Sequence, residues 1–385
     1  MKNVNIGLLG YGTVGKALAS LLQDQENMTL HAIFRRSGKV EDSRMTDQID
    51  DLLLNPKIDV IVEALGGLIP AYDFVKKAIL NKKHVVTSNK ALVNAYGDEL
   101  NTLAISNNVS FLFSAACGGG IPYLATMLQH QTLFQIKKVG GILNGTSNFI
   151  LDKMERDHLG FNEALKQAQD LGYAEADPSS DLDGIDTMYK LRLALAVATQ
   201  TWIDLDSIDV EGIRYLKDVD INYFAQQKWK CRLMATGEKS ALGFSASVEP
   251  TLVELTSLEA MCLENNNLVW FENKDHQRFE LTGQGAGGVP TATNILRDLN
   301  SILEKNSWML PTMMNEGQTD NTLDHQNYIV RSDVDVNSDF LEKYTGQSRL
   351  FSGVLYRTLY DVPVKAMHEE VKRLREKDEL CFVRC

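Results

Sequence analysis

Over the first 115 residues, apolar positions fall in short continuous runs rather than in alternation. The runs NVNIGLLG, TLHAIFRR, DVIVEAL, HVVTSN and VSFLFSA each have the length of one strand buried on both faces. Between them apolar residues recur at helical spacing over Gly15–Gln25 and Ile69–Asn81, and more briefly near Ala91–Ile105. Strand and helix in alternation predict an α/β unit with a parallel sheet covered on both faces. The pattern changes after residue 136. KKVGGILNG reads as a strand, helices are predicted near 147–157, 161–171 and 184–199, and GFSASVEPT, NLVWFENK and QRFELTGQG read as further strands. This predicts an α+β second domain. GQGAGGVPTATNILRDLNSIL, 283–303, reads as a glycine-rich loop feeding a helix, and the breaker-rich stretch 310–328 as a linker. A strand NYIVRSDVDV, a charged helix VKAMHEEVKRLREK and a strand ELCFVRC predict a small C-terminal α+β extension over 325–385.

Length and composition agree with this layout. A chain of 385 residues allows two or three domains, and 44% hydrophobic content supports a core without crosslinks. The net charge of −12 argues against non-specific nucleic-acid or anionic-membrane binding, which needs a basic surface. The cysteines Cys117, Cys231, Cys262, Cys381 and Cys385 are odd in number and lack C-x-x-C spacing, so reduced thiols are expected. The chain enters a strand pattern at once, and no apolar run reaches the ~18 residues of a membrane span. A cytoplasmic protein is expected.

The first strand ends in GYGTVG, which sets Gly10, Gly12 and Gly15 in G-x-G-x-x-G spacing, with Thr13 and Val14 opening a helix. In this strand–turn–helix context the motif predicts a Rossmann-type dinucleotide site. Gly10 permits the tight turn, Gly12 lets the backbone reach a pyrophosphate, and Gly15 lets helix and strand pack closely. About 20 residues on, where an acid would hold the ribose of NAD, stand Arg35, Arg36 and Ser37. Two guanidinium groups and a hydroxyl suit a 2′-phosphate, so NADP is favoured, with NAD left open if the arginines are merely solvated.

A second concentration of chemistry is YAEADPSSDLDGIDTMYK, which crowds Glu175, Asp177, Asp181, Asp183 and Asp186 before Lys190. Asp186 and Lys190 are four apart, on one face of a helix predicted to start near Asp183. Alone, that pair is a surface feature worth about 0.2–0.5 kcal/mol. NGTSN is expected to turn at Gly145 and enter a helix capped by Thr146 or Ser147, with capping and substrate binding equally good readings.

GYGTVG, VIVEALGG, KHVVTSNKALV, GGGIP, GGILNGTSNFIL, LGYAEADPSSDLDGIDTMYK and GQGAGGVPTA, in that order, make residues 5–303 resemble the homoserine dehydrogenase family. The resemblance implies NAD(P)H-dependent, reversible reduction of L-aspartate 4-semialdehyde to L-homoserine, on the route to threonine, methionine and isoleucine, by a homodimer joined through the second domain's sheet. It implies that residues 1–135, completed by 283–308, bind the nucleotide, and that 136–282 carry catalysis and dimerisation. Carried over residue by residue, Glu175, Asp181, Asp186 and Lys190 line the substrate site with Asn144, Gly145 and Thr146. Thr87, Ser88 and Lys90 of the SNKA loop lie on the cofactor side, and Gly283 touches the cofactor or acts as a hinge. Reduction of an aldehyde needs a proton donor at the oxygen, a role for a lysine: Lys90 first, Lys190 second.

The sequence departs from the family in two places. The resemblance implies a monovalent cation, sodium or potassium, held by the carbonyls of Cys117, Gly119 and Ile121 and by a glutamate side chain. Ser114 stands in the glutamate's place, so cation binding is expected to be weak or absent. Cys117 itself reads as a small buried residue rather than a catalytic thiol. The tail is short for the ACT regulatory domain of many bacterial members and lacks its D-x-P-G-x-L loop, so a degenerate or structural module is expected. Two alternatives stay open: an NAD(P)-dependent oxidoreductase for another amino-acid aldehyde, and a non-catalytic cofactor-binding regulator. Retention of Lys90, Glu175, Asp186 and Lys190 argues against both.

Overall fold

A computed structural model describes residues 3–36, 42–131, 135–306, 310, 316–332, 338–376 and 379–385. Ser37 and the end of the run NYIVRSDVDV lie outside the described residues. The chain forms two units: Met1–Gln135 with Arg192–Trp202 and Gly283–Asn315, and Ile136–Leu191 with Ile203–Thr282 and Glu316–Cys385. Among the described residues, no helix is long and apolar enough to cross a membrane.

In the first unit six strands lie in the order Met45–Thr46, Met28–Phe34, Val4–Leu9, Val60–Glu63, His84–Thr87 and Phe111–Leu112, all parallel. The α/β fold expected from the continuous apolar runs is therefore present. Val4–Leu9 sits between the second and fourth strands of the chain, so the strand order reverses there. Ligands of such sheets bind at that reversal, beyond the carboxyl ends of the strands. Val4, Ile6 and Leu8 share one core with Leu18, Ala19 and Leu22 after the glycine turn, and with Ala292, Ile295 and Leu299 of the helix Gly288–Leu303. That shared core brings residues 283–303 back onto the first sheet.

The second unit is built on a ten-stranded sheet. Ile136–Ile142 lies between Asn266–Asn273 and Trp229–Ser240, antiparallel to both, and Trp229–Ser240 forms a hairpin with Gly243–Glu254. The hydrophobic pattern does not predict Trp229–Ser240, because Arg232 falls inside it. The structure buries Arg232 completely and pairs it with Glu155 at 2.8 Å. The strands of 325–385 do not stand apart. Cys381–Arg384 pairs with Gly243–Glu254 and with His325–Ser332, and Val354–Pro363 and Thr345–Phe351 extend the sheet further.

Three buried acid–base contacts fasten this tail to the rest of the unit. Asp220 meets Arg331 at 2.9 Å and the Tyr356 hydroxyl at 2.8 Å. Glu211 takes both arms of Arg375, at 2.9 and 2.8 Å. Glu249 accepts from His368 Nε2 at 2.8 Å and from the Tyr328 hydroxyl at 2.9 Å.

Candidate active site

The glycine turn is shaped by close approach. Gly10 has φ +100°, and a Cβ there would lie 2.6 Å from the Ala64 carbonyl oxygen. A Cβ on Gly15 would lie 2.2 Å from the Gly10 carbonyl oxygen, so only glycine lets the helix Thr13–Leu21 sit this near the strand. Gly12 is different: nothing lies within 4 Å of its Cβ position. Thr13 is exposed and Val14 packs into the core. The helix has no capping side chain and no acid in its first turn. Its first N–H groups and its dipole are thus available to an anion. A pyrophosphate fits this cradle. Gly288 approaches the same turn, its Cβ position 2.9 Å from Thr13 Cγ2, and Gly283 lies against Ile121.

Arg35 and Arg36 follow the strand Met28–Phe34, Arg36 exposed and Arg35 half-buried. Asp42, the first described acid after them, is already held by Arg44 at 2.9 and 2.5 Å, and its carboxyl is pulled down to about 2 by hydrogen bonds from that residue.

Glu63 is a residue of this region that spacing alone does not single out. It ends the strand Val60–Glu63, fully buried. Burial pushes its carboxyl up, against the pull of its hydrogen bonds. It accepts from the backbone of Leu65 at 2.8 Å and Gly66 at 3.3 Å, and from Thr87 Oγ1 at 2.5 Å. The hydroxyl of Thr87 also receives the Asn89 N–H at 3.0 Å, so Thr87 shapes the loop between strand and helix. Asn89 caps the helix Lys90–Ser106 by accepting from Leu92 N at 3.1 Å and donates to the Gly67 carbonyl at 2.6 Å. Ser88 and Lys90, half-buried, leave this organised loop. The signal for Glu63 was an acid closing an apolar buried strand.

The loop to which the family resemblance gives a cation, and where Ser114 made binding expected to be weak or absent, holds something else. Asn294 Nδ2, on the helix Gly288–Leu303, donates to the carbonyls of Gly119 at 2.9 Å, Ile121 at 3.0 Å and Ser114 at 3.3 Å. Cys117 is buried in the same loop. These residues do not fit a monovalent cation, because a donor nitrogen already stands where the carbonyls converge.

In the second unit Asn144 organises the acids. It is the N-cap of the helix Gly145–Arg156, accepting from Ser147 N at 2.7 Å, where Thr146 or Ser147 was the expected cap. Its Nδ2 donates to Asp181 Oδ1 at 2.6 Å and to Asp186 Oδ2 at 2.9 Å. Asp186 opens the helix Ile185–Thr199 and ion-pairs with Lys190 at 2.7 Å, with only 8% and 11% of the two side chains exposed. Lys190 Nζ also donates to the Leu143 carbonyl at 2.7 Å. Burial, then the charge of Asp186, raises the Asp181 carboxyl above its ordinary range, opposed by the Asn144 hydrogen bond. Gly145 has a structural reason to be glycine, since a Cβ would lie 2.6 Å from the Asn265 carbonyl oxygen. Thr146 donates to the Tyr173 carbonyl at 2.7 Å. Asp177 and Asp183 face outward, Asp183 bound by both arms of Arg214 at 2.6 and 2.9 Å. Glu175 is exposed.

A parallel sheet with an open, uncapped glycine turn at its reversal point defines a dinucleotide-binding protein, here with a buried cluster of acids and a lysine in its second unit. Comparison with known proteins sharpens this. The model for the homoserine dehydrogenase NAD-binding domain matches residues 10–114, and that for homoserine dehydrogenase matches residues 122–299. The homoserine dehydrogenase of Bacillus subtilis (strain 168) is 30% identical over 97% of this chain and 91% of its own. The crystal structure of a homoserine dehydrogenase from Thiobacillus denitrificans aligns with TM-score 0.87 and 27% identity, over 100% of this chain and 98% of its own. A hyperthermophilic archaeal homoserine dehydrogenase in complex with NADPH aligns with TM-score 0.70 and 25% identity, over 80% and 100%. The chain belongs to the homoserine dehydrogenase family. The alternatives of another aldehyde oxidoreductase or a non-catalytic regulator are not favoured.

Proposed function

We propose that the Asn144–Asp181–Asp186–Lys190 cluster is where this enzyme holds its amino-acid substrate, and that Lys90 delivers the proton. The reaction of the family joins L-aspartate 4-semialdehyde and L-homoserine, in threonine, methionine and isoleucine biosynthesis. The substrate carries an ammonium, a carboxylate and an aldehyde, so its site needs both charge signs. Asp181, and Glu175 from its exposed loop, suit the ammonium; Lys190, anchored from two sides, suits a negative group. The bound nicotinamide supplies the hydride. Negative charge then develops on the aldehyde oxygen, where an ammonium stabilises it and gives up a proton. Lys90 takes that role, at the start of a helix that follows a strand of the cofactor-binding sheet. The observation that carries this reading is the enclosed Asp186–Lys190 pair beside Asp181.

On this reading residues 1–135 with 283–308 bind the nucleotide, 136–282 carry the substrate chemistry, and 325–385 are a structural module. NADP is the favoured cofactor: Arg35 and Arg36 stand where an acid would select NAD, and the archaeal relative is in complex with NADPH. A cytoplasmic homodimer fits the five free cysteines and the family resemblance.

The test follows oxidation of NADPH and of NADH with aspartate semialdehyde for the wild type, Lys90→Met and Lys190→Met. Lys90→Met is expected to lower kcat about 10²–10³-fold, the usual loss when one electrostatic donor is removed, and Lys190→Met to raise the KM for aspartate semialdehyde. Wild-type kcat in the first variant, or wild-type KM in the second, sinks the role given to that lysine. Equal kcat/KM with both cofactors sinks the reading of Arg35 and Arg36.

A further inference from the structure

We propose that the Asn294 side chain takes the place of a monovalent cation in the loop 114–121, so that this enzyme is folded and active without one. The loop turns through Gly118 and Gly119, with φ +81° and +55°, and points the carbonyls of Gly119 and Ile121 at one spot. Converging carbonyl oxygens repel one another and are costly to bury unless a positive ion or a donor sits between them. Nδ2 of Asn294 sits there, 2.9 and 3.0 Å from the two, and 3.3 Å from the Ser114 carbonyl. The orientation of the amide follows from these distances. Turned over, it would set an oxygen about as close to two carbonyl oxygens, a repulsive arrangement with no room for an ion between them. Oδ1 has no hydrogen-bond partner among the described residues, so the amide leaves an acceptor unmade in order to place its donor.

Two neighbours complete the exchange. Ser114 directs its hydroxyl to Asp298 Oδ1 at 2.7 Å and its N–H to Oδ2 at 3.0 Å, so it faces a carboxylate and brings none. Arg297 donates to the Gly120 carbonyl at 2.7 Å, adding fixed positive charge to the same loop. A glutamate with a cation and a serine with an amide have the same total charge. The second pair needs nothing from solution. Because Asn294 lies on Gly288–Leu303, the amide also ties that helix to the loop, beside the contacts of Arg297 and Asp298.

The experiment compares thermal unfolding and turnover of the full-length enzyme in sodium, potassium and choline chloride at constant ionic strength. The wild type is expected to give the same Tm and rate in all three. A saturable rise of either with sodium or potassium overturns the proposal. Asn294→Asp keeps the shape and replaces the donor nitrogen by a charged acceptor. It is expected to lose Tm in choline and to recover it, saturably, with sodium or potassium. Wild-type Tm for this variant in choline shows that the amide does not hold the loop, and equally overturns the proposal. If Asn294→Asp does not fold, the wild-type titration alone decides.

Discussion

The glycine turn and the acidic cluster are built by opposite means. The first is made of backbone: Gly10 and Gly15 let main chain approach main chain, Gly12 leaves space, and the helix end supplies donors. The second is made of side chains that hold one another: Asn144 between two aspartates, and Lys190 between Asp186 and a carbonyl. A site of backbone and space loses its ligand when something is added. A site of interlocked charges loses its structure when something is removed. The difference can be broken or sharpened by substitution.

The largest effect is expected from Asp186→Ala. It strands the nearly buried Lys190 ammonium and one hydrogen of the Asn144 amide. Removing one partner of a buried ion pair costs about 3–5 kcal/mol. Urea unfolding should show this loss together with loss of activity. A stability within about 1 kcal/mol of wild type would mean that solvent or another group replaces Asp186 easily, and that the cluster is not interlocked.

Next comes the Glu249–His368 contact that fastens the tail. Burial works against both charges. The mutual contact outweighs it, with Arg384 helping Glu249, whose carboxyl is held down, while Asp209 and Glu211 also favour the charged His368, whose imidazole is held up. The histidine's contribution is complete below its ordinary pKa of 6.5 and is lost as pH rises through the raised folded value. The glutamate's is complete above 4.5 and is lost as pH falls through the depressed folded value. The contact is strongest between those limits. His368→Leu should cost about 1.5–3 kcal/mol there, the worth of a hydrogen bond to a charged group. The deficit should shrink in alkaline buffer. A deficit in Tm that does not vary with pH would assign the loss to packing against Phe382 instead.

Two glycines test the other side of the comparison. Gly15→Ala pushes a methyl group into the Gly10 carbonyl, and overpacking of this kind costs about 1–3 kcal/mol. Gly12→Ala meets no protein atom, so Tm should hold while the Kd for NADPH rises. If both variants lose stability alike, Gly12 is structural and the open space beside it is not a ligand's.

The same contrast decides what could be read from the chain. GYGTVG is legible because all its causes are local: a strand before, a helix after, three spacings. Asp186 and Lys190 are legible as neighbours on a helix, but Asn144 reaches its two acids across 37 and 42 positions, and no pattern within NGTSN announces that. Asn294 is the extreme case. It meets Ile121 and Gly119 across 173 and 175 positions, so the sequence shows that a glutamate is missing at Ser114 and cannot show what replaces it. Trp229–Ser240 escapes for the same reason, since the buried Arg232 finds Glu155 and the Ala260 carbonyl, 77 and 28 positions away in the chain. Glu175 was expected beside the other acids from the family's motif and is exposed, as loop residues between helices usually are.

The smallest effect should come from Arg214→Ala. The contact with Asp183 is bidentate, but 43% of each side chain is exposed. Exposed pairs contribute about 0–1 kcal/mol because solvent screens them and long side chains resist being fixed. Asp183 nevertheless follows Asp181 by two residues, in the turn whose Leu182 carbonyl receives the Ile213 N–H at 2.8 Å. Gly212 lies so near Leu182 that a Cβ there would come 2.0 Å from the same carbonyl oxygen. That backbone packing, rather than the surface ion pair, should set the position of Asp181. Arg214→Ala is therefore expected to leave both Tm and the KM for aspartate semialdehyde unchanged. A raised KM at unchanged Tm would show that Arg214 positions the turn, and that the interlocked cluster extends to the surface of the second unit.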